Sequence, residues 1–178
     1  MGELKLRIIG AGGHGILLAG NIIGTASILS GRDAVMTIAY SPAQRGGWSR
    51  ADVIVSDERI DFPIFDNPDV LIATTQETYE LEVDNVIQGG IVIYERDLVS
   101  PRNVPYIKQV PIPAFETAIK LGFRMSANMV ILGFVNEFLK ILSHEAMING
   151  IKARVKRRLD VNIKAYEMGV ALARGVEP

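Results

Sequence analysis

A glycine-rich segment near the start of the chain is the first candidate for chemistry. Gly10, Gly12 and Gly15 satisfy the spacing G-x-G-x-x-G, between an apolar run typical of a strand and a periodic run typical of a helix. Such glycines let a ligand approach the backbone, and the helix N-terminus offers free N–H groups to an anion such as a phosphate. Gly13 and His14 lie in the same loop. The alternative interpretation is a tight turn that holds no ligand.

An acidic residue that dinucleotide sites usually carry is missing. It normally lies about 20 positions further on, at the end of the second strand, where it binds a ribose hydroxyl. Here the second predicted strand ends at Tyr40 and Ser41, and Asp33 stands at its beginning. A free-standing NAD-dependent oxidoreductase is therefore poorly supported.

A second loop, predicted over residues 41–50, contains Arg45-Gly46-Gly47 and the only tryptophan, Trp48. It places a guanidinium beside backbone that a partner can approach closely. A third loop, Thr74-Thr75-Gln76, follows the strand predicted over residues 70–73. Because loops at the carboxyl ends of parallel strands converge, we expect one binding surface, with a solvated loop as the alternative. The candidate binding residues are Gly10, Gly12, Gly13, His14, Gly15, Ser41, Arg45, Gly46, Gly47, Thr75 and Gln76.

Predicted strands alternate with helices through the first two thirds of the chain, and helices complete it. This pattern favours an α/β fold with a mostly parallel, Rossmann-like sheet flanked by helices and a helical C-terminal third. We expect one domain over residues 1–178. The predicted strands are 4–9, 34–40, 51–56, 70–73, 91–94 and 106–110. The predicted helices are 16–29, 77–83, 114–119, 127–142, one capped by Ser143, and 160–173.

Composition excludes several classes of site. The 178 residues include no cysteine, which rules out disulfides, thiolate nucleophiles and iron–sulfur ligation by this chain. The two histidines, His14 and His144, are far apart, so no metal-binding or catalytic residue is predicted. The net charge of −1 gives no general attraction to nucleic acid, and no run of about 18 apolar residues predicts a membrane span. We expect a cytoplasmic protein.

A basic cluster follows near the C-terminus. It comprises Lys152, Arg154, Lys156, Arg157 and Arg158 and is predicted to lie on a helix. Clusters of this kind are usually solvated faces, and docking onto an acidic partner is the alternative.

Taken together, these segments resemble the gamma subunit, or gamma domain, of the 2-oxoacid:ferredoxin oxidoreductases. The similarity is carried by GAGGHGI at 10–16 and by YSPAQRGGWSRADVIVSD at 40–57. Further matches lie at 60–63, 69–73, Gln76 and 128–133. The details are most similar to the small, separate gamma chain of the 2-oxoglutarate type. Pyruvate, branched-chain and indolepyruvate enzymes carry similar domains.

The resemblance implies an accessory subunit of an enzyme that oxidatively decarboxylates a 2-oxoacid, reduces ferredoxin and releases an acyl-CoA. It implies thiamine diphosphate and iron–sulfur clusters on partner subunits, namely alpha and beta, with delta as a further candidate. The isolated chain is expected to be inactive and to ligate no cofactor alone. Coenzyme A is the one ligand it is expected to share, because a diphosphate suits the glycine loop. A stand-alone nucleotide- or CoA-binding regulatory module is the alternative.

Overall fold

The computed structural model describes residues 2–42 and 46–176 and contains one six-stranded sheet, in the order β2-β3-β1-β4-β5-β6. The strands are β1 (Leu4–Ala11), β2 (Asp33–Tyr40), β3 (Trp48–Ser56), β4 (Val70–Ala73), β5 (Ile91–Glu95) and β6 (Lys108–Ile112). The helices are α1 (Ile16–Leu29), α2 (Gln76–Glu82), α3 (Ala114–Lys120), α4 (Ala127–Leu139), α5 (His144–Arg154) and α6 (Leu159–Ala173). Short 3-10 turns at Val83–Asn85 and Arg124–Ser126 follow α2 and precede α4.

The sheet is mixed. Strands β1, β4, β5 and β6 form three parallel pairings, whereas β3 runs antiparallel to both β1 and β2. The chain between β2 and β3 is too short for a crossover, so it returns as a hairpin. β1 and β2 therefore run in the same direction, as the strand–helix–strand pattern predicts, but β3 lies between them. The predicted α/β architecture is confirmed.

The two faces of the sheet are covered unequally. Alternate residues such as Leu6 and Ile8 of β1 point to one face and pack with α1, α4, α5 and α6 in the larger apolar core. On the other face Ile9 packs against Tyr79 of α2 and its neighbours in a smaller core. The helical C-terminal third thus thickens one face of the sheet.

Helices α4 and α6 pack at very short range. A Cβ on Gly133 would lie 1.9 Å from the carbonyl oxygen of Tyr166, and one on Gly169 would lie 2.0 Å from that of Val130. Two glycines facing each other's backbone allow this approach. The packing of α6 behind α4 holds the start of α4 in place, next to α1.

Several boundaries differ from the sequence-based expectation. β1 continues through Gly10 to Ala11, and β3 begins already at Trp48, because the two strands pair along their whole length. α4 ends at Leu139 rather than at 142, since Lys140 turns into the left-handed region with φ 52°. Of the basic cluster only Lys152 and Arg154 are helical. The predicted cap is confirmed, as the Ser143 hydroxyl accepts a hydrogen bond from the backbone N–H of Ala146 at 3.1 Å.

Candidate active-site cleft at the glycine loops

The start of α1 is held by a contact with a distant helix. Gly15 is the N-cap residue, with φ 74°, and its carbonyl oxygen accepts a hydrogen bond of 3.3 Å from Asn128 Nδ2 of α4. A Cβ at Gly15 would lie 2.3 Å from that same nitrogen. The third glycine of the motif therefore serves both a left-handed turn and a close helix approach. Asn128 is 4% exposed, so the contact is buried.

The two glycine-containing loops touch each other. The Gly12 N–H donates to the Gly47 carbonyl at 2.9 Å, and the Ser41 N–H donates to the Trp48 carbonyl at 2.9 Å. Because β3 is antiparallel to β1 and β2, its first residues meet the last residues of both strands at one edge. The expected convergence of the two loops is thus observed, through a hairpin rather than through parallel strands alone.

Between these loops and the first turn of α1 lies a cleft of about 540 Å³. Six of the candidate residues line it: Gly12, Gly13, Gly15, Ser41, Gly46 and Gly47. Ile16, Leu17, Leu18, Tyr40 and Trp48 supply its apolar surface. Arg45 lies outside the residues that the structure describes.

The first turn of α1 gives the cleft its electrostatic character. No side chain caps it, and no acidic residue lies in it. The first N–H groups of a helix lack intrahelical partners and carry the positive end of the helix dipole. With glycine backbone on the opposite side, the cleft suits an anion attached to a larger, partly apolar molecule.

Two of the candidate residues, Gly10 and His14, contact Thr74 at the end of β4. His14 Nδ1 lies 2.8 Å from Thr74 Oγ1, and the imidazole packs edge-on against Phe115 with ring centroids 4.8 Å apart. Burial, assisted by the charge of Arg124, lowers the pKa of His14 and favours the neutral imidazole. A Cβ on Gly10 would lie 2.0 Å from Thr74 Oγ1. His14 and Gly10 therefore fix the loop against β4.

Thr75 and Gln76 are not among the residues that line this cleft. The Thr75 hydroxyl accepts from the Thr78 N–H at 3.4 Å and caps α2. The Gln76 side-chain oxygen accepts a hydrogen bond of 2.7 Å from the Ser100 N–H, in the segment between β5 and β6. Both side chains are engaged in local structure. Thr74, which belongs to the predicted third loop but not to the candidate binding residues, makes the contact with the glycine loop.

The family model for pyruvate ferredoxin/flavodoxin oxidoreductases matches residues 5–172. The chain belongs to that family. It is 36% identical over 175 residues to the 2-oxoglutarate synthase subunit KorC of Methanocaldococcus jannaschii, with 96% of this chain and 94% of the relative covered. The predicted family is therefore confirmed.

Solved structures of this oxidoreductase family have the same fold. The gamma subunit of a keto/oxoacid ferredoxin oxidoreductase from Geobacter sulfurreducens superposes with a TM-score of 0.85 at 30% identity, covering 97% of this chain and 99% of that one. The 2-oxoglutarate:ferredoxin oxidoreductase of Magnetococcus marinus, solved with 2-oxoglutarate, coenzyme A and succinyl-CoA, gives 0.87 at 26% identity. This chain covers 32% of that longer protein, and 99% of this chain is matched.

A buried charge cluster that sequence analysis missed joins β1, β3 and the end of α2. Arg7 of β1 binds Asp52 through two hydrogen bonds of 2.9 and 2.8 Å and Glu82 through one of 2.8 Å. Arg50 adds a hydrogen bond of 3.0 Å to Glu82. Although burial opposes ionisation, hydrogen bonds from Asn85 and Arg7 keep the pKa of Glu82 below its usual value.

The signal for this cluster was present in the sequence. Arg7 interrupts an apolar strand, and Arg50 and Asp52 share a strand face at a spacing of two. Nothing in one sequence shows that β1 and β3 pair Arg7 with Asp52. The cluster lies on the α2 face and fixes the strands that carry both loops of the family's motif.

Within the described ranges 2–42 and 46–176, no group of three or more His, Cys, Asp or Glu side chains is placed to hold a metal ion. None of the helices in these ranges has the length and apolarity that crossing a bilayer requires.

Proposed function

We propose that this chain is the gamma subunit of a 2-oxoglutarate-oxidising member of its family and that its cleft holds part of coenzyme A. The complex would convert a 2-oxoacid and coenzyme A to an acyl-CoA and carbon dioxide, passing two electrons to ferredoxin. The single observation that carries the coenzyme A site is the uncapped start of α1 facing two glycine loops. The bound coenzyme A and succinyl-CoA named for the Magnetococcus marinus relative support the same ligand class.

The residues present fit coenzyme A in two respects. Its diphosphate suits the N–H groups of the first turn of α1 and of Gly13, whereas the Gly12 N–H is already engaged by the Gly47 carbonyl. Its pantetheine arm is neutral and partly apolar, as is the wall formed by Leu17, Leu18 and Tyr40. Arg45, adjacent to the cleft in sequence, supplies a cation for a phosphate or for a carboxylate of a neighbouring subunit.

We place the bond-breaking chemistry on the partner subunits. This chain has no cysteine to ligate an iron–sulfur cluster. Its roles are to bind and orient the acyl acceptor and to contact the alpha and beta subunits, which would hold thiamine diphosphate and the clusters. The neutral His14 acts by holding the loop, because its Nδ1 is engaged by Thr74.

The first test is the composition of the protein purified anaerobically from its own cells by a tag on this chain. We expect larger subunits, iron, sulfide and thiamine diphosphate, and dye reduction that depends on 2-oxoglutarate and coenzyme A. A panel including pyruvate and branched-chain 2-oxoacids identifies the substrate. Isolation of the chain alone, without iron or thiamine, would contradict the assignment as a subunit.

A second test addresses the site itself. Coenzyme A should alter the fluorescence of Trp48, which lines the cleft and is the only tryptophan. Arg45→Ala should raise the coenzyme A concentration needed for half-maximal turnover, or weaken assembly, with the fold unchanged. Arg59→Ala is the control, because Arg59 is an exposed arginine that does not line the cleft. Normal assembly and turnover of Arg45→Ala would remove Arg45 from the site.

A further inference from the structure

A second cleft opens on the other side of the glycine loop. It has a volume of about 420 Å³ and shares Gly13, Gly15 and Leu18 with the first cleft. Its opposite wall is formed by the segment between α5 and α6, including Lys156 and Arg157. The two clefts therefore meet at the uncapped start of α1.

The wall contributed by this segment is strongly positive. Five cations occur between 152 and 158, and no acidic residue lies between Glu145 and Asp160. Within the described ranges, none of the ion pairs of the protein involves a cation of this segment. Arg154 instead donates to the Thr25 hydroxyl at 2.6 Å, and Arg158 lies over the ring of Phe123. Lys156, whose Nζ donates to the Ala153 carbonyl at 3.1 Å, and Arg157 thus line the cleft without an ion pair to any carboxylate of the described residues.

A buried polar atom also marks this cleft. Asn128 lines it, and its Nδ2 is engaged by the Gly15 carbonyl. Its Oδ1 is buried and has no hydrogen-bond partner within the described residues. Leaving a buried acceptor unpaired costs free energy. An amide oxygen accepts from an N–H or O–H group, which a nucleoside supplies through its amino and hydroxyl groups.

We propose that this second cleft binds the 3′-phosphorylated ribose end of coenzyme A, so that this chain distinguishes coenzyme A from 3′-dephospho-coenzyme A. The inference rests on the proposed function and extends it to a second subsite. In coenzyme A one ribose separates the 3′-phosphate from the diphosphate, so a diphosphate at the start of α1 places the monoester in an adjoining cleft. A phosphate monoester carries close to two negative charges at neutral pH, which Lys156 and Arg157 match. The neutral pantetheine arm extends into the first, more apolar cleft.

The test compares the two coenzymes on the full-length chain and on the assembled enzyme. Binding of coenzyme A and of 3′-dephospho-coenzyme A is measured by calorimetry and, in the enzyme, by the concentration giving half-maximal turnover. The variant is Lys156→Gln with Arg157→Gln, two exposed residues whose loss leaves the core intact. Lys152→Gln is the matched control, since Lys152 belongs to the same basic cluster but does not line the cleft. Circular dichroism and thermal unfolding verify that each variant is folded.

We expect the wild-type protein to prefer coenzyme A by about tenfold or more, the effect of about one charge-assisted hydrogen bond. The double variant should lose that preference, with binding of the dephospho form changed by less than about twofold, and Lys152→Gln should resemble wild type. The preference should also shrink as salt is added. Equal binding of both coenzymes by the wild-type protein, or an equal loss of both in the double variant, would overturn the inference.

Two other outcomes are separable from these. If neither coenzyme binds to the chain or to the assembled enzyme, the coenzyme A site of the proposed function itself is wrong. If the double variant fails to assemble with its partner subunits but keeps the ratio of coenzyme affinities, the basic segment is a docking surface for an acidic partner. That result would also overturn the inference.

Discussion

His14 Nδ1 and Thr74 Oγ1 lie 2.8 Å apart, and this hydrogen bond ties the glycine loop to the end of β4. Thr74 is fully buried, and its hydroxyl occupies the space that a side chain at Gly10 would need. Its backbone N–H also donates to the Ile9 carbonyl of β1 at 3.1 Å. One threonine therefore contacts β1, the loop after it and the end of β4.

Thr74→Val should destabilise the protein by about 1 kcal/mol or more, because it leaves a partly buried imidazole nitrogen without its partner. It should also weaken coenzyme A binding, since the loop that positions Gly12 and Gly13 loses an anchor. Urea unfolding and calorimetry measure the two effects. Thr74→Ser keeps the hydroxyl and should retain binding. If valine and serine variants bind the coenzyme equally well, the hydrogen bond does not shape the cleft.

Asp52→Ala should cost about 3–5 kcal/mol of unfolding free energy, because it leaves the guanidinium of Arg7, which is 3% exposed, without its bidentate partner. Denaturant unfolding monitored by circular dichroism gives the value. The matched control is Asp61→Ala, which removes an ion pair with Arg59 in which both side chains are 90% exposed. That variant should unfold like the wild-type protein. Similar losses in the two variants would show that burial of the charge is not what matters.

Glu95 should make the protein less stable as the pH rises from about 4.5 to about 7. Burial raises the pKa of this carboxyl to about 7, against the hydrogen bonds donated by the Phe115 and Ala114 N–H groups. In that range the native state holds a proton that the unfolded chain releases, so the free energy of unfolding falls with pH and levels off above 7. The total effect is up to about 3 kcal/mol.

Glu95→Gln tests this directly, because glutamine keeps an oxygen for the two N–H groups but does not titrate. Unfolding free energies of both proteins are measured from pH 4.5 to 8. The difference between them should grow in favour of glutamine as the pH rises. The lowered pKa of His14 makes the free energy of unfolding rise with pH in the range just below the ordinary pKa of histidine, opposite to the effect of Glu95. This contribution is the same in both proteins, so it cancels from the difference between them. Parallel profiles would contradict the prediction.

Gly133→Ala should destabilise the protein by at least about 2 kcal/mol, because the new methyl would meet the Tyr166 carbonyl and force α4 and α6 apart. Thermal and urea unfolding measure the loss. Gly24→Ala is the control within another helix, α1, where a Cβ meets nothing within 4 Å. That substitution should be neutral or stabilise by up to about 1 kcal/mol, as alanine favours helix. Equal behaviour of the two variants would contradict the tight packing of α4 on α6.

The sequence by itself determined the local elements and the first half of the site. The three- and four-residue spacing of apolar residues located α1, and the shortness of the apolar run 70–73 favoured a strand, which the structure shows as β4. The glycine spacing identified the start of α1 as a place for an anion, because free N–H groups at a helix start follow from helix geometry alone. The order of the glycine loop and the Arg-Gly-Gly loop was sufficient to indicate the family.

Only the tertiary structure decided which residues meet across the sheet. The pairing of β3 with β1 is long-range, so sequence periodicity, which is the same for any partner strand, left it open. The sequence also left open the contact of Asn128 with Gly15 and that of Arg7 with Asp52, because each contact joins residues that are far apart in the chain. The same is true of the segment 155–157, which reaches the glycine loop because α5 packs on α1 and α6 packs on α4. Local propensity acts over a few neighbouring residues, whereas these contacts are selected by the packing of whole elements.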